Sequence, residues 1–374
     1  MPEEHIISLL RKLVSIPSVN PGFSNAPPEY TGEARLGKYL LAWAEQHSVE
    51  ARCFEAAPER PCILLETGPK TGLPVMISAH MDTVWPGDMQ NPFELKEANG
   101  CLYGLGTSDD KGPLAAALIA LEELHARKLT VRFQVLATCD EEYGLCGITH
   151  MIPAHTRPAL HIISEPTELK LVTAHKGSCR FTVKTHGISA HSSLVPQGEN
   201  AIYKAVRLIT ALEEYGRTIL TRPSHPLLGT ETLSVGMIQG GIQPSIVPDE
   251  CTFSFNYRTL PGKTPDTLLR ELQSVLESTG ESFEMTASFD APPMDSSCEI
   301  PLINALRTIM KHHEMDNSPH GVPFAAESIQ AAKYGIPAVL LGPGSLKTAH
   351  SPGECIEIRQ LDQMKNLLVD FISS

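Results

Sequence analysis

The sequence predicts an α/β protein in which a smaller β-α-β-β-α-β unit interrupts a larger domain. Three observations predict it. Apolar runs of strand length alternate with helix-length segments up to about residue 164. The same alternation resumes after residue 325. Between them lies a strand-helix-strand-strand-helix-strand order, the ferredoxin-like arrangement. In chain order, residues 3–15 carry Ile6, Ile7, Leu9, Leu10 and Leu13 at helical spacing, and Pro17 and Pro21 stop that helix. Residues 31–48 read as a second helix. Pro61–Leu65, Leu73–Ala79, Val131–Thr138 and Ala159–Ser164 read as strands, with a helix over Asp110–Arg127, and the alternation predicts parallel pairing. In the middle, Ser178–His186 is a strand and Asn200–Tyr215 a helix. Thr232–Gln239 and Cys251–Arg258 are strands, Pro265–Ser278 a helix and Ser282–Phe289 a strand. Finally Ala325–Tyr334 is a helix, Ile336–Leu341 a buried strand and Leu361–Ile372 a helix. The expected domains are residues 1–177 and 292–374 together, with 178–291 inserted.

The composition narrows the function classes. The chain has 374 residues, 43 acidic against 30 basic, for a formal charge of −13. That surplus argues against a nucleic-acid or anionic-membrane partner, which needs a basic face. At 42% hydrophobic and 20% charged the composition is that of a folded globular protein. No apolar run reaches membrane-span length, and Met-Pro-Glu-Glu-His lacks the start of a secretory signal. Nine scattered cysteines form no Cys-x-x-Cys pair, so reduced thiols and a cytoplasmic location are expected.

Chemistry collects after the strands. The run Leu73–Ala79 ends in His80-Met-Asp82, Val131–Thr138 in Asp140-Glu141-Glu142, and Ala159–Ser164 in Glu165. Ser108-Asp109-Asp110-Lys111-Gly112 precedes the long helix, and Thr348-Ala349-His350 follows the strand Ile336–Leu341. Ligands of open α/β sheets bind beyond the carboxyl ends of strands, so these groups are expected to converge. Each piece alone has a plainer reading: a Glu-Glu pair is usually a solvated face, and a lone His a hydrogen-bonded structural residue. Together, acids placed where burial is costly without a cation, plus two imidazoles, are a natural ligand set for paired zinc-type ions. Two divalent ions ~3.5–4 Å apart need a bridging carboxylate and lower the pKa of the water between them towards ~7. A further carboxylate must carry the proton to the leaving group. Adjacent Glu141 and Glu142 suit that division, one as base and one as ligand, and Asp82 can orient His80. By contrast His312, His313 and His320 read as surface residues, and Cys139 as a packing residue.

Six stretches in order resemble a known family over nearly the whole chain. They are Ser78-Ala-His-Met-Asp82, Leu102-Tyr-Gly-Leu-Gly-Thr-Ser-Asp109-Asp-Lys-Gly112 and Asp140-Glu-Glu142, then Ser164-Glu-Pro-Thr167, Gly187-Ile-Ser-Ala-His191-Ser-Ser193 and Gly342-Pro-Gly-Ser-Leu-Lys-Thr-Ala-His350. The resemblance is to the dinuclear-zinc deacylases and exopeptidases, which include acetylornithine deacetylase, succinyl-diaminopimelate desuccinylase, glutamate carboxypeptidase and several dipeptidases. It implies a zinc-exopeptidase-like catalytic domain with an inserted lid that also makes a homodimer. It implies two zinc ions, with cobalt able to replace them. His80 and Glu165 would hold one ion, His350 and Glu142 the other, and Asp109 would bridge. Glu141 would be the general base, Asp82 the orienting acid, and the Asp109–Asp110 peptide cis. His191 would stabilise the oxyanion, and Asn256, Arg258 and Gly344 would bind substrate, for which arginine's planar fork suits a carboxylate. The activity implied is hydrolysis of the amide of a small N-acyl-L-amino acid such as acetylornithine, or of a dipeptide or peptide C-terminus at the same site. Thr173-Ala-His-Lys-Gly177 and Thr259-Leu-Pro-Gly262 are similar to the deacetylases; Asp109-Asp-Lys-Gly-Pro113 is similar to the dipeptidase branch. Ala325-Ala326-Glu327 stands where the family usually has Gly-Thr-acid.

Overall fold

A computed structural model describes residues 2–23 and 26–374. The chain divides into two compact units. One comprises the chain up to Thr173 with Ser296–His320 and Ala326–Ser374; the other comprises Ala174–Asp295 with Gly321–Ala325.

The first unit opens with helices α1 (Pro2–Val14) and α2 (Ala34–Gln46) and strands β1 (Glu50–Ala57), β2 (Arg60–Thr67) and β3 (Val75–His80). A small pair, β4 (Lys96–Ala98) and β5 (Cys101–Tyr103), precedes α3 (Lys111–His125). Then come β6 (Phe133–Thr138), α4 (Cys146–Met151), β7 (Leu160–Ile163) and β8 (Val172–His175). The sheet order is β1-β2-β6-β3-β7, then a strand from the chain's last third, then β8. α3 is buried on nearly every face, and its run Ala115, Ala116, Ala117 and Ala120 allows close packing against the sheet. That is what a helix apolar all round requires.

In the second unit β9 (Ser178–His186) is followed by the short β10 (Ala190–His191), α5 (Ala201–Ile219), β11 (Thr232–Gly240), short β12 (Ile246–Val247) and β13 (Glu250–Arg258). α6 (Pro265–Glu277), β14 (Glu284–Ala291) and β15 (Met294–Asp295) complete it. The sheet runs β11-β13-β9-β14, entirely antiparallel. Alternate residues of β9 and β13, among them Phe181, Val183, Phe253 and Phe255, meet Leu208 and Leu212 of α5 and Leu268 and Leu272 of α6. Apart from the short strands β10, β12 and β15, this is the expected strand-helix-strand-strand-helix-strand order.

The first unit is completed by α7 (Pro301–His312), the start of β16 (His320–Val322), α8 (Ser328–Lys333), β17 (Ala338–Leu340), β18 (Cys355–Glu357) and α9 (Ile358–Ser373). β17 is the strand between β7 and β8. Parallel pairing was expected throughout; it holds for β6-β3-β7-β17. It fails at β1-β2, β2-β6 and β17-β8, which are antiparallel. The two-residue turn Pro58-Glu59, with Glu59 at φ 60°, leaves β1 and β2 no geometry but a hairpin. Because the central strands are parallel, their carboxyl ends share one edge. His80 lies opposite Thr138, and Ser78 and Leu340 lie opposite Ile163. Antiparallel β2 begins at this same edge, which brings Arg60 to it.

Candidate active site

Residues following the parallel strands gather beyond that edge. His80 ends β3, Asp140, Glu141 and Glu142 follow β6, Glu165 follows β7, and His350 comes from the loop after β17. Asp109 arrives on the turn before α3, and its bond to Asp110 is cis. Asp109 is the hub. His80 Nε2 lies 2.8 Å from its Oδ1, and His350 Nε2 lies 3.1 Å from its Oδ2. His350 Nε2 is also 3.0 Å from Glu142 Oε1. His80, Asp109 and Glu142 each offer a ligand atom within 4.8 Å of the others. One carboxylate with an imidazole at each oxygen, with the Glu142 and Glu165 carboxylates close by, supplies enough donors for two ions.

Burial pushes the Glu141 carboxyl well above its ordinary value, and Glu165 adds to that; burial likewise raises Glu165, with Asp109 next, and raises Glu142. Burial works against the His80 imidazolium, yet its hydrogen bond to Asp109 and the surrounding acids raise its pKa well above the ordinary value. Hydrogen bonds to Asp109 and then Glu142 push His350 up to about 11. Carboxyls driven towards neutrality beside imidazoles driven towards charge mark a buried site short of positive charge. The donor set of two imidazole nitrogens and several carboxylates fits divalent zinc-type ions.

The supporting contacts orient these groups. His80 Nδ1 donates to the Asp82 main-chain carbonyl at 2.9 Å, which leaves Nε2 to face Asp109. The Asp82 carboxylate lies 3.8 Å from that ring and has other duties. It accepts from the backbone N–H groups of Glu141 and Glu142, each at 3.1 Å, and from Asn20 Nδ2 at 2.7 Å. Asn20 also donates to Asp140 Oδ1 at 3.1 Å, and Arg60 reaches the same oxygen. Asp110 Oδ2 accepts from the His80 N–H and from Ser164 Oγ. The buried Glu354 carboxylate accepts from the backbone of Gly106, Ser108 and Asp109, and so clamps the turn that carries Asp109. Lys111, fully buried, donates to the Ile16 carbonyl, and burial lowers its pKa to about 7. Sequence reasoning did not find Asn20, Arg60 or Glu354. None lies in a periodic apolar pattern, and the only sequence hints are the Ser18-Val-Asn20-Pro and Pro352-Gly-Glu354 turns.

Gly344, at φ +94°, sits where a Cβ would meet Ser108 Oγ at 2.2 Å, so its close approach is to the Asp109 turn. Three expected residues belong to the second unit. His191 is exposed, with Nδ1 2.8 Å from Ser193 Oγ. Asn256 donates to Ser178 Oγ at 2.9 Å. Arg258 is half-buried, and burial, then the charge of Arg180, lowers its pKa. Lys176 lies near enough for Arg258 to lower its pKa too, after burial. Arg258 thus feels the charge of Arg180, and Lys176 that of Arg258 and, with the opposite sign, of Glu231.

The chain is similar to known proteins over nearly all of its length. Residues 76–374 match the family described as Peptidase family M20/M25/M40. An acetylornithine deacetylase of Proteus mirabilis is 30% identical over 384 residues, covering 98% of this chain and 96% of its own. The acetylornithine deacetylase of Pectobacterium carotovorum is 32% identical over 311 residues, covering 80% and 79%. Among solved structures, an aminopeptidase from Bacillus cereus superposes with a TM-score of 0.81 at 20% identity, covering 99% of this chain and 98% of that one. A metallo-carboxypeptidase from Sulfolobus solfataricus gives 0.78 at 19% identity, covering 98% of each. The structural likenesses carry the fold; the sequence matches carry the lineage. The chain belongs to peptidase family M20/M25/M40 and is a hydrolase.

Proposed function

We propose that this enzyme hydrolyses the amide bond of a small N-acyl-L-amino acid of the acetylornithine type at a pair of zinc ions. One observation carries the reading: Asp109 holds His80 on one oxygen and His350 on the other. His80 with Glu165 and His350 with Glu142 would be the two ligand pairs, and Asp109 the bridge. When bound, the zinc ions, or cobalt in their place, would polarise the scissile carbonyl and acidify the attacking water. Glu141 would take a proton from the attacking water and deliver it to the leaving amine, a task suited to a carboxyl whose pKa burial raises. Asp82 fixes the Glu141 backbone through its N–H. Arg258 would take the substrate carboxylate, with Asn256 and Gly344 contributing contacts and His191 stabilising the oxyanion.

Nine cysteines, all free, support a reducing, cytoplasmic setting. A homodimer built through the second unit is supported by its exposed edge strand β11. A second substrate reading, a dipeptide or a peptide C-terminus, is favoured by Asp110 in Asp109-Asp110-Lys111-Gly112-Pro113.

The test is a panel of N-acetyl-L-amino acids, acetylornithine among them, against dipeptides, on zinc- or cobalt-loaded enzyme with and without chelator. Faster turnover of the acyl amino acids, lost on chelation, is expected; faster dipeptide cleavage moves the substrate to the second reading. Glu141→Ala should lower kcat by about 10²- to 10⁴-fold with metal content unchanged. Near-normal turnover in that variant removes Glu141 from its role.

A further inference from the structure

A second set of ligand atoms converges on the helices of the first unit. His5 on α1, His47 at the end of α2 and Glu122 on α3 each bring one ligand atom within 4.8 Å of the other two. The two imidazoles address opposite oxygens of one carboxylate. His5 Nε2 lies 2.9 Å from Glu122 Oε2, and His47 Nε2 lies 3.7 Å from Glu122 Oε1.

The His47 ring is already oriented as a ligand's would be. Its Nδ1 is 2.7 Å from the Trp43 carbonyl, an acceptor only, so Nδ1 carries the proton and donates it there. The ring also stacks on the Trp43 indole, with centroids 4.4 Å apart and planes at 23°. In the neutral ring Nε2 is therefore a bare lone pair, and it faces a carboxylate oxygen. Two acceptors facing each other repel unless a proton or a metal ion lies between them. The 3.7 Å separation is too long for a direct hydrogen bond. It is close to the ~3.3 Å between neighbouring ligands of a tetrahedral ion with bonds of ~2.0–2.1 Å.

The scaffold beneath is rigid. α1 is anchored by Leu9, Leu10 and Leu13, α2 by Leu40, Trp43 and Ala44, and α3 by Leu118 and Leu121, all in one core. Beside the cluster is a cavity of about 400 Å³ lined in part by His5, His47, Tyr39 and Lys12. The Lys12 ammonium is drawn over the Tyr39 ring, 5.8 Å from its centroid. His5 is half exposed, with room to adjust, and the cavity leaves space for a water as fourth ligand.

We propose that His5, His47 and Glu122 form a zinc-type site separate from the dinuclear centre, which fastens the N-terminal helix to α2 and α3. A hydrogen-bonded carboxylate orients one imidazole readily; it does not require two rings on opposite oxygens with one ring's remaining nitrogen already engaged. The inference does not rest on the catalytic reading, because its measure is a difference between two proteins that share the same catalytic residues.

The test uses the full chain, stripped of metal and titrated with zinc. The wild type should take up one equivalent more than His47→Ala at micromolar free zinc, and that equivalent should raise the Tm of the wild type alone. Glu122→Gln should weaken the same equivalent by at least about tenfold, and it serves as the second variant if His47→Ala does not fold. In zinc-soaked crystals an anomalous peak is expected among His5, His47 and Glu122. Equal uptake by wild type and variants, or filling of this site only at millimolar zinc, overturns the proposal.

Discussion

Asn20 is one residue with two anionic clients. It is fully buried, and its single amide nitrogen donates to Asp82 and to Asp140, the two carboxylates that flank the Glu141–Glu142 backbone. Asn20→Ala leaves both without that donor in a buried setting. It should cost about 1–3 kcal/mol of stability, read by urea unfolding. It should also lower kcat by roughly 10- to 100-fold with KM and metal content little changed, since a slight misplacement of the base is enough. An unchanged kcat would mean that the backbone N–H bonds to Asp82 hold Glu141 unaided. At this scale His80, Glu142, Glu165 and His350 were legible because each comes after an apolar strand, and Asp109 because it stands just before the long helix. Asn20, Arg60 and Glu354 were not, because their meaning lies in distant partners, such as Asp82, 62 positions from Asn20, and Gly106, 248 from Glu354.

At the scale of elements, the short helix α8 carries a carboxyl at its start that the family pattern singles out. Glu327 is buried, one of its oxygens has no partner, and burial pushes its pKa from 4.5 to about 7 against hydrogen bonds from Thr138 and Ser78. A raised folded-state pKa favours the protonated form. The contribution is fully present below pH 4.5 and is lost as pH rises through about 7. Between about pH 5 and about pH 8, metal-free wild type should therefore lose roughly 2–3 kcal/mol that Glu327→Gln does not lose, measured by urea unfolding at both pH values. Parallel pH curves for the two proteins would show Glu327 ionised throughout. The buried strands β3, β6 and β7 were legible from continuous apolar runs. β1 was not: Glu-Ala-Arg-Cys-Phe-Glu-Ala-Ala has no clean alternation, and the strand forms at the sheet edge because β2 lies beside it. The direction of β2 was equally hidden, since a composition favouring strands does not state which way they run.

On the whole-molecule scale, β11 ends the second unit's sheet and leaves one row of backbone groups unpaired. Met237 is 73% exposed and Ile238 53%, with Ile242 just beyond at 86%. A long apolar edge is an aggregation hazard unless something covers it, and a second copy does so symmetrically. The proposed homodimer should appear as twice the chain mass in sedimentation equilibrium, and Met237→Lys with Ile238→Glu should shift it to monomer without unfolding. A monomeric wild type across the concentration range disposes of the dimer. The net charge of −13 also changes meaning at this scale, because Asp82, Asp109, Glu141, Glu142 and Glu165 lie in one buried or half-buried cluster rather than on the outer surface.

The sequence by itself determined the α/β class, the inserted strand-helix order and the residues that meet at the strand ends. These follow from local apolar periodicity and from chain positions just past buried strands, both readable along one dimension. Only the tertiary structure decided the mixed strand directions, the carboxylate of Asp109 shared by His80 and His350, the use of Asp82 as a backbone clamp, and the meeting of His5, His47 and Glu122. Each depends on which distant segments become neighbours and which lone pair or N–H faces the other. Those are properties of packing, and no window of residues contains them.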